Sequence, residues 1–227
     1  MSIAHVVVLF SGGLDSTVLL ADQLARGRRV TALSCDYGSR HNERELACAK
    51  ALCESYGVHQ LNMSLDFIGK MYKSSLLVGG GDIPKTDYDE ASMAQTVVPF
   101  RNGVMLAAAA GLAESIGADA VAIAAHGGDH NIYPDCRSEF LHAMGESIRL
   151  GTDTQITLLR PFAEISKTDI VRRGVKLHVD FSKTWSCYVG GDVHCGQCGT
   201  CRERREAFRE AGVQDPTVYA SDSGEIA

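Results

Sequence analysis

Two stretches of this chain combine residue types at spacings that could do chemistry. The first is Phe10-Ser11-Gly12-Gly13-Leu14-Asp15-Ser16-Thr17, between the Val-rich run Ile3 to Phe10 and the apolar run Val18-Leu19-Leu20-Ala21. Two glycines let a backbone approach a ligand closely and take positive φ. Ser11, Ser16 and Thr17 add hydroxyl donors, and a helix starting here presents free N–H groups and a positive dipole end. Together these predict an anion site. It has neither the Gly-Lys-Ser/Thr of a Walker A loop nor the third glycine of a dinucleotide fingerprint. Asp15 would repel a phosphate unless a cation intervened, which predicts Mg²⁺ as a partner. The plainer alternative is a strand–turn–helix connection with Asp15 or Ser16 as N-cap.

The second stretch holds four of the chain's eight cysteines, spaced Cys187-x7-Cys195-x2-Cys198-x2-Cys201. Cys-x2-Cys turns place two thiolates on one tetrahedral cation, and four thiolates close the shell, so this pattern predicts a structural zinc site. Such a site contributes on the order of 10 kcal/mol to ordering its segment, here including the glycine-rich loop Val189-Gly190-Gly191-Asp192. His194 is an alternative ligand, and an iron–sulfur cluster would also take four Cys. Cys35, Cys48, Cys53 and Cys136 stand alone and read as small buried hydrophobes.

The elements that must position these residues follow from periodicity and turn signals. Strands are expected at Ile3–Phe10, Val30–Cys35, His59–Leu65, Ala120–Ala125 and Ile156–Leu159. Helices are expected from Asp15 to Arg26, Asn42 to Tyr56, Asn102 to Ile116, Ser138 to Leu150, after the Ser166 cap to Leu177, and from Arg202 to Ala211. Leu77 to Gln95 reads as a loop that could cover a site. The alternation predicts a mostly parallel sheet with helices on both faces, whose ligands collect at the carboxyl ends of the strands. The loops there are Ser11–Ser16, Asp36–His41, His126–Arg137 and Pro161–Lys167, and they carry much of the chain's polar chemistry.

The chain has 227 residues, 45% hydrophobic and 22% charged, with a net charge of −6 and no Pro/Ser-rich linker. These values predict one α/β domain over 1–227, with the zinc segment at 185–210 inside it. The absence of a long basic run argues against a grip on nucleic acid. Arg202, Arg204 and Arg205, interleaved with Glu203 and Glu206, read as a solvated helix face. The N-terminus has no signal-type pattern, and the apolar stretch Met105–Ala125 is broken by Glu114 and Asp119. Both predict a soluble, cytoplasmic protein with no membrane partner.

The Ser-Gly-Gly-x-Asp-Ser loop resembles the PP-loop of the N-type ATP pyrophosphatases, which split ATP into AMP and pyrophosphate. The resemblance implies a Rossmann-like fold of the adenine nucleotide alpha hydrolase (HUP-like) type. It also implies ATP contacts along Phe10, Ser11, Gly12, Gly13, Leu14, Asp15, Ser16, Thr17, Val18, Leu19 and Leu20. Other stretches are similar to one family within that group, the 7-cyano-7-deazaguanine (preQ0) synthases of queuosine biosynthesis. They are Asp36-Tyr37-Gly38-Ser39-Arg40-His41, Val98-Pro99-Phe100-Arg101-Asn102, Tyr133-Pro134-Asp135-Cys136-Arg137 and the four-cysteine segment through Arg204. Ser39 stands where the family usually has Gln, and Phe100 where it often has Gly.

The resemblance implies a ligase that takes 7-carboxy-7-deazaguanine, ammonia and ATP, with structural Zn²⁺, in a homodimer. The substrate carboxylate attacks the α-phosphate, ammonia displaces AMP to give the amide, and a second ATP drives conversion to the nitrile. Asp15, Lys167 and Arg101 are the catalytic candidates. Arg40, His41, Arg101, Asn102, Asp129, Tyr133, Asp135 and Arg137 are the candidates for holding the substrate, with Asp135 and Arg137 alternatively pairing with each other. His126, Asp129 and His130 are a less favoured metal set, because Gly127 and Gly128 argue against the helix that spacing needs. His41 reads as a loop hydrogen-bond partner. Competing readings are a related enzyme that transfers the acyl group to a protein amine or a tRNA base, and a zinc-ribbon binding module joined to an inactive ATPase-like domain.

Overall fold

The computed structural model describes residues 3–85, 93–129 and 132–220. Among them, strands β1 (His5–Leu9), β2 (Arg29–Asp36), β3 (His59–Ser64), β4 (Ala120–Ala122) and β5 (Thr157–Leu159) form one sheet in the order β3-β2-β1-β4-β5. Every neighbouring pair is parallel, with Val7 opposite both Thr31 and Val121. The order runs outward from β1 in two directions, so the topological switch point lies between β1 and β4, where ligands bind in such sheets.

Helices α1 (Leu14–Ala25), α2 (Asn42–Tyr56), α3 (Asp66–Met71), α4 (Arg101–Ser115), α5 (Ser138–Gly151), α6 (Lys167–Lys176) and α7 (Gly199–Ala211) complete the layers. Side chains alternate across a strand, and β1 divides accordingly. Val6 and Val8 pack with Leu19 of α1, Leu52 of α2, Ile170 of α6 and Phe208 of α7. Val7 packs on the other face with Leu106 and Ala109 of α4 and Leu141 of α5. Helix α4 is apolar enough to pass for a membrane span by composition, but its buried stripe Leu106, Ala109, Ala110 and Ala113 lies against the sheet. Its alanines let the backbones come close.

The periodic segments form where they were expected. Helix α2 has the anticipated limits and ends on Gly57 in the left-handed region at φ 64°. Ser166 caps α6 by accepting the Asp169 N–H at 3.1 Å. The differences are local. Strand β4 ends at Ala122, although the Ile123 N–H still donates to Leu159 O at 3.0 Å. The short helix α3 was not anticipated. Helix α7 begins at Gly199, three residues earlier than expected.

The loop expected from Leu77 to Gln95 is tied at both ends, by a bridge between Ser39 and Leu77 and by the Ser75 N–H donating to Gln95 O at 2.9 Å. Its residues 86–92 lie outside the described residues. The solvated-face reading of the Arg202–Arg205 cluster is corrected at Arg204, which is fully buried. Its guanidinium donates to Thr184 Oγ1, Ser186 Oγ and the Phe181 carbonyl, and lies 3.4 Å from Asp215 Oδ1. A buried cation needs this many partners, and alternating signs along a helix give no hint of it.

Candidate functional site

The loop after β1 keeps the first turn of α1 open. Gly13 is the N-cap in an extended conformation, and no side chain caps the helix. The alternative of capping by Asp15 or Ser16 is therefore not what forms. Instead Ser16 Oγ and Thr17 Oγ1 donate back to Gly13 O at 3.2 and 2.7 Å, and the Gly13 N–H donates to Ser11 Oγ at 3.2 Å. Gly12 has φ 76°. A Cβ there would sit 2.5 Å from Ala49 N and 2.8 Å from Glu45 O, so the loop is pressed onto the backbone of α2. Uncapped N–H groups beside serine hydroxyls are what an anionic ligand needs.

This loop forms one wall of a cavity of about 230 Å³ at the carboxyl ends of the strands. A charged cluster lies at the loop end. Lys167, at the start of α6, places Nζ 3.2 Å from Asp15 Oδ2 and 2.8 Å from Glu203 Oε2. Burial, the largest influence, would raise the Asp15 carboxyl, but Lys167, His126 and Arg204 together outweigh it and hold the group below its ordinary value. Burial wins at Glu203, which is raised in spite of Lys167. Asp15 Oδ1 is buried without a hydrogen-bond partner among the described residues.

His126 faces this cluster with Nε2 3.5 Å from Asp129 Oδ2 and 3.9 Å from Glu203 Oε1. The three residues are close enough to share a cation. However, the Gly128 N–H donates to His126 Nδ1 at 3.1 Å. A neutral ring then carries its proton on Nε2, leaving no lone pair there for a metal. The less favoured set with His130 falls partly outside the described residues, because His130 is not among them. Glu203 takes the third place.

The far end of the cavity is built differently. His41 is buried and stacks on Tyr188, with ring centroids 5.2 Å apart. Burial, with the Arg101 charge, pushes its pKa down to about 3, so the ring is neutral at pH 7. Glu45, one turn further on, lies 3.7 Å from His41 Nε2, and burial pushes its carboxyl up to about 8. Arg101 lies over Tyr37, with its guanidinium 5.5 Å from the ring and Nη1 3.3 Å from the hydroxyl.

The sequence candidates separate accordingly. Phe10, Ser11, Gly13, Leu14, Asp15, Ser16, His41, Arg101, Asn102, Asp129 and Lys167 line the cavity. Thr17 closes the turn, and the side chains of Val18, Leu19 and Leu20 belong to the core. Arg40 is directed to the carbonyls of Leu77 and Gly81, fastening the loop after α3. Tyr133 links Thr96 Oγ1 and the Tyr188 hydroxyl at 3.0 and 3.3 Å. Asp135 accepts the Asn102 N–H at 2.8 Å and so fixes the start of α4. No ion pair joins it to Arg137 among the described residues. Phe100, just before α4, holds φ 53°, a left-handed conformation suited to the Gly often found there. Sequence reasoning missed Glu45, Glu203, Tyr37 and Tyr188. All four lie beside motifs that were singled out, and this adjacency was the available signal.

The four cysteines converge. Their Sγ atoms lie within 4.8 Å of one another, with Cys187 and Cys198 4.0 Å apart. A tetrahedral zinc–thiolate shell has sulfur–sulfur edges of about 3.8 Å, so the set fits zinc. The N–H groups of Cys195 and Cys198 donate to the sulfurs of Cys187 and Cys195, both at 3.3 Å, which stabilises thiolates. His194 is not in this set. Its Nε2 accepts the Ser186 N–H at 3.0 Å and its ring lies on Trp185.

A parallel sheet with an open helix N-terminus at its switch point, faced by a lysine and three acids, defines a Rossmann-like α/β fold with its pocket at the strand ends. The fold agrees with solved structures. NMN synthetase from Francisella tularensis matches with a TM-score of 0.51 over 96% of this chain and 80% of its own, at 14% identity. A predicted tRNA methyltransferase subunit from Methanocaldococcus jannaschii matches with a TM-score of 0.50 over 77% of this chain and 76% of its own, at 16% identity.

Sequence comparison narrows the class. The model of the queuosine biosynthesis protein QueC matches residues 5–212. The 7-cyano-7-deazaguanine synthase of Porphyromonas gingivalis is 53% identical over 94% of this chain and 96% of its own. The Desulfotalea psychrophila synthase is 51% identical over 94% of this chain and 97% of its own. This chain belongs to the QueC family.

Proposed function

We propose that this protein is an ATP-dependent 7-cyano-7-deazaguanine synthase, converting 7-carboxy-7-deazaguanine and ammonia to the nitrile with release of AMP and pyrophosphate. The observation that carries the reading is the pairing of Lys167 with Asp15 beside the uncapped start of α1, in a chain so similar to synthases of that name.

The open N–H groups of α1 and the Ser11 and Ser16 hydroxyls receive the phosphates. The substrate carboxylate attacks the α-phosphorus, the α–β bridging bond breaks, and pyrophosphate carries off the charge. Lys167 neutralises that charge as it develops, in a site where preorganised cations act strongly. Arg101, which also lines the cavity, holds the substrate carboxylate and orients it toward that α-phosphorus. Ammonia then adds to the acyl carbon, loses a proton and expels AMP, leaving the amide. A second ATP adenylates the amide oxygen, and loss of AMP with the remaining N–H protons gives the nitrile. The Trp185–Tyr188 segment walls the cavity and limits water, which would otherwise hydrolyse the acyl-adenylate.

Mg²⁺ fits beside Asp15, because its Oδ1 has no partner among the described residues. Asp15 and Asp129 would hold it, and it would supply charge neutralisation on the phosphates. The four cysteines would hold a structural Zn²⁺, whose closed shell leaves no position for substrate. The protein works in the cytoplasm as a homodimer in this reading, and light scattering on purified protein checks the second point.

The deciding experiment incubates zinc-loaded protein with ATP, Mg²⁺, ammonium and 7-carboxy-7-deazaguanine, then follows products by mass spectrometry. Nitrile with AMP is the expected result. Absence of both AMP and modified base overturns the proposal, and amide alone reduces it to the first half-reaction.

A further inference from the structure

The cavity contains one cation and one acid that the charged cluster at the phosphate loop does not use. Among the described residues, no carboxylate lies within 4 Å of the Arg101 guanidinium. Its contacts are the Tyr37 hydroxyl at 3.3 Å and Asn102 Oδ1 at 3.4 Å. It stands at the first position of α4, with no acid in that turn, where the helix dipole makes a cation unfavourable. The Asp135 carboxylate, which accepts the Asn102 N–H, supports the charge from beyond 4 Å, but it leaves the guanidinium without a directly paired anion, the place a ligand anion would fill.

Glu45 is the complementary case. Of the acids lining the cavity, Asp15 pairs with Lys167 and Asp129 faces His126. Among the described residues, Glu45 has only His41 Nε2, at 3.7 Å, beyond hydrogen-bond reach. Its position is firmly fixed, because Gly12 packs directly on the Glu45 carbonyl and the Ala49 amide. Phosphate loop and carboxyl are thereby held in one rigid frame.

We propose that Glu45 and Arg101 are the two recognition poles for the deazaguanine substrate, Glu45 accepting from its ring N–H and 2-amino edge and Arg101 binding its carboxylate. The inference rests on the function proposed above. A 2-amino-4-oxo ring presents adjacent donors on one edge, which a carboxylate accepts in bidentate fashion. The substrate's own carboxylate lies on the opposite side, on the five-membered ring. The two poles form no ion pair, because His41 and Tyr37 stand between them in steps of 3.7, 3.5 and 3.3 Å, although the Arg101 charge is felt at Glu45; an acidic and a cationic pole so separated match that arrangement. The adenine of ATP offers a donor next to an acceptor and no anion on the base, so it satisfies neither pole.

The titratable groups around Glu45 are His41 and Cys48 on either side along the chain, Tyr37 in the loop after β2, Tyr188 in the cysteine segment and Arg101 on α4. Burial, opposed by the Arg101 charge, pushes the Glu45 carboxyl up to about 8, so it holds its proton near neutrality and must release it to accept from two donors. Substrate binding should release a proton and tighten as pH rises toward 8.

The test is isothermal titration of zinc-loaded protein with 7-carboxy-7-deazaguanine and with the same compound lacking its 2-amino group. The wild type should prefer the parent compound by about 10- to 100-fold, the usual worth of a bidentate edge contact. Glu45→Gln should shrink that preference below about threefold while the KM for ATP moves less than threefold, and it should abolish the proton release seen when buffers of different ionisation enthalpy are compared. Arg101→Gln should weaken both compounds alike and leave 7-deazaguanine without its carboxylate unaffected. Undiminished discrimination in Glu45→Gln, or a loss confined to ATP, overturns the assignment. Wild-type nitrile synthesis without any preference for the 2-amino group overturns it while leaving the function standing. Failure of the wild type to bind either compound overturns both.

Discussion

Lys167 Nζ lies 2.8 Å from Glu203 Oε2, and this contact joins the phosphate end of the cavity to the cysteine segment. Glu203 follows Cys201 by two residues on α7, while Lys167 opens α6. A metal held by the four cysteines and ordering the start of α7 would therefore set the distance of Glu203 from the lysine, although none of the four cysteines lines the cavity.

Lys167→Met is expected to lower ATP-dependent AMP release by about 10²- to 10³-fold, the range for removing one preorganised charge from a transition state. Lys167→Arg should recover little, because the longer fork cannot reproduce a point contact shared between Asp15 and Glu203. Single-turnover AMP formation from radiolabelled ATP checks both. Rates within threefold of wild type would remove Lys167 from the chemistry.

Removing the metal should act at a distance. Chelation, or Cys198→Ser, is expected to lower the thermal midpoint and to abolish ATP binding along with metal content, because α7 loses its anchor and Glu203 its position. Elemental analysis should give one zinc per chain, falling in step with ATP affinity. Metal-free protein that still binds ATP with full affinity would separate the two sites.

Gly12 and Gly27 provide a matched pair, since both have positive φ, at 76° and 73°. A methyl group at Gly27 meets nothing within 4 Å, so Gly27→Ala should cost only about 1 kcal/mol from the left-handed backbone. A methyl group at Gly12 runs into the backbone of α2, so Gly12→Ala should cost about 3 kcal/mol or more and displace Glu45 as well. Urea titrations of the two variants measure the difference.

Arg204 is the largest side chain that is fully buried. Arg204→Ala strands Asp215 and several hydrogen-bond acceptors, and about 3–5 kcal/mol of stability should be lost, as for other broken buried ion pairs. Arg204→Lys should not rescue it, because one ammonium cannot reach Thr184, Ser186 and the Phe181 carbonyl together. Chemical denaturation of both variants is the measurement.

How far the sequence revealed this arrangement depended on which physical pattern carried each residue. Helix α2 was legible to the residue because Leu46, Ala49, Leu52 and Cys53 recur at helical spacing and Gly57 supplies the left-handed stop. The cavity's location was legible because the polar loops follow strand ends. Glu45, Glu203 and Arg204 were hidden for one common reason. A charged residue on a helix looks solvated unless something reveals what the helix faces, and here the facing elements are the distant segments around Arg101, Lys167 and Thr184. Helix α3 has six residues, too few for a period to show. Gly38, which approaches Gly69 within 3.1 Å of where a Cβ would lie, marks its packing only once both are placed.

The neighbouring pair His41 and Glu45 should leave an opposite signature in stability at each end of the pH scale. His41 has a folded pKa of about 3 against an ordinary 6.5, so the unfolded chain binds its proton between those values and stability rises with pH there. Glu45 has a folded pKa of about 8 against an ordinary 4.5, so the folded chain holds the extra proton between those values and stability falls with pH there. From 4.5 to 6.5 the two slopes cancel, and from 6.5 to 8 the Glu45 slope acts alone. In Glu45→Gln the cancelling slope is gone. The variant should gain stability relative to wild type progressively from pH 4.5 to 8, by about 1.4 kcal/mol per pH unit and up to about 5 kcal/mol in total, and hold that gain at higher pH. Urea unfolding of both proteins at pH 5, 6.5 and 8 measures the difference directly. A gap that stays constant with pH would mean that Glu45 is already ionised in the folded protein.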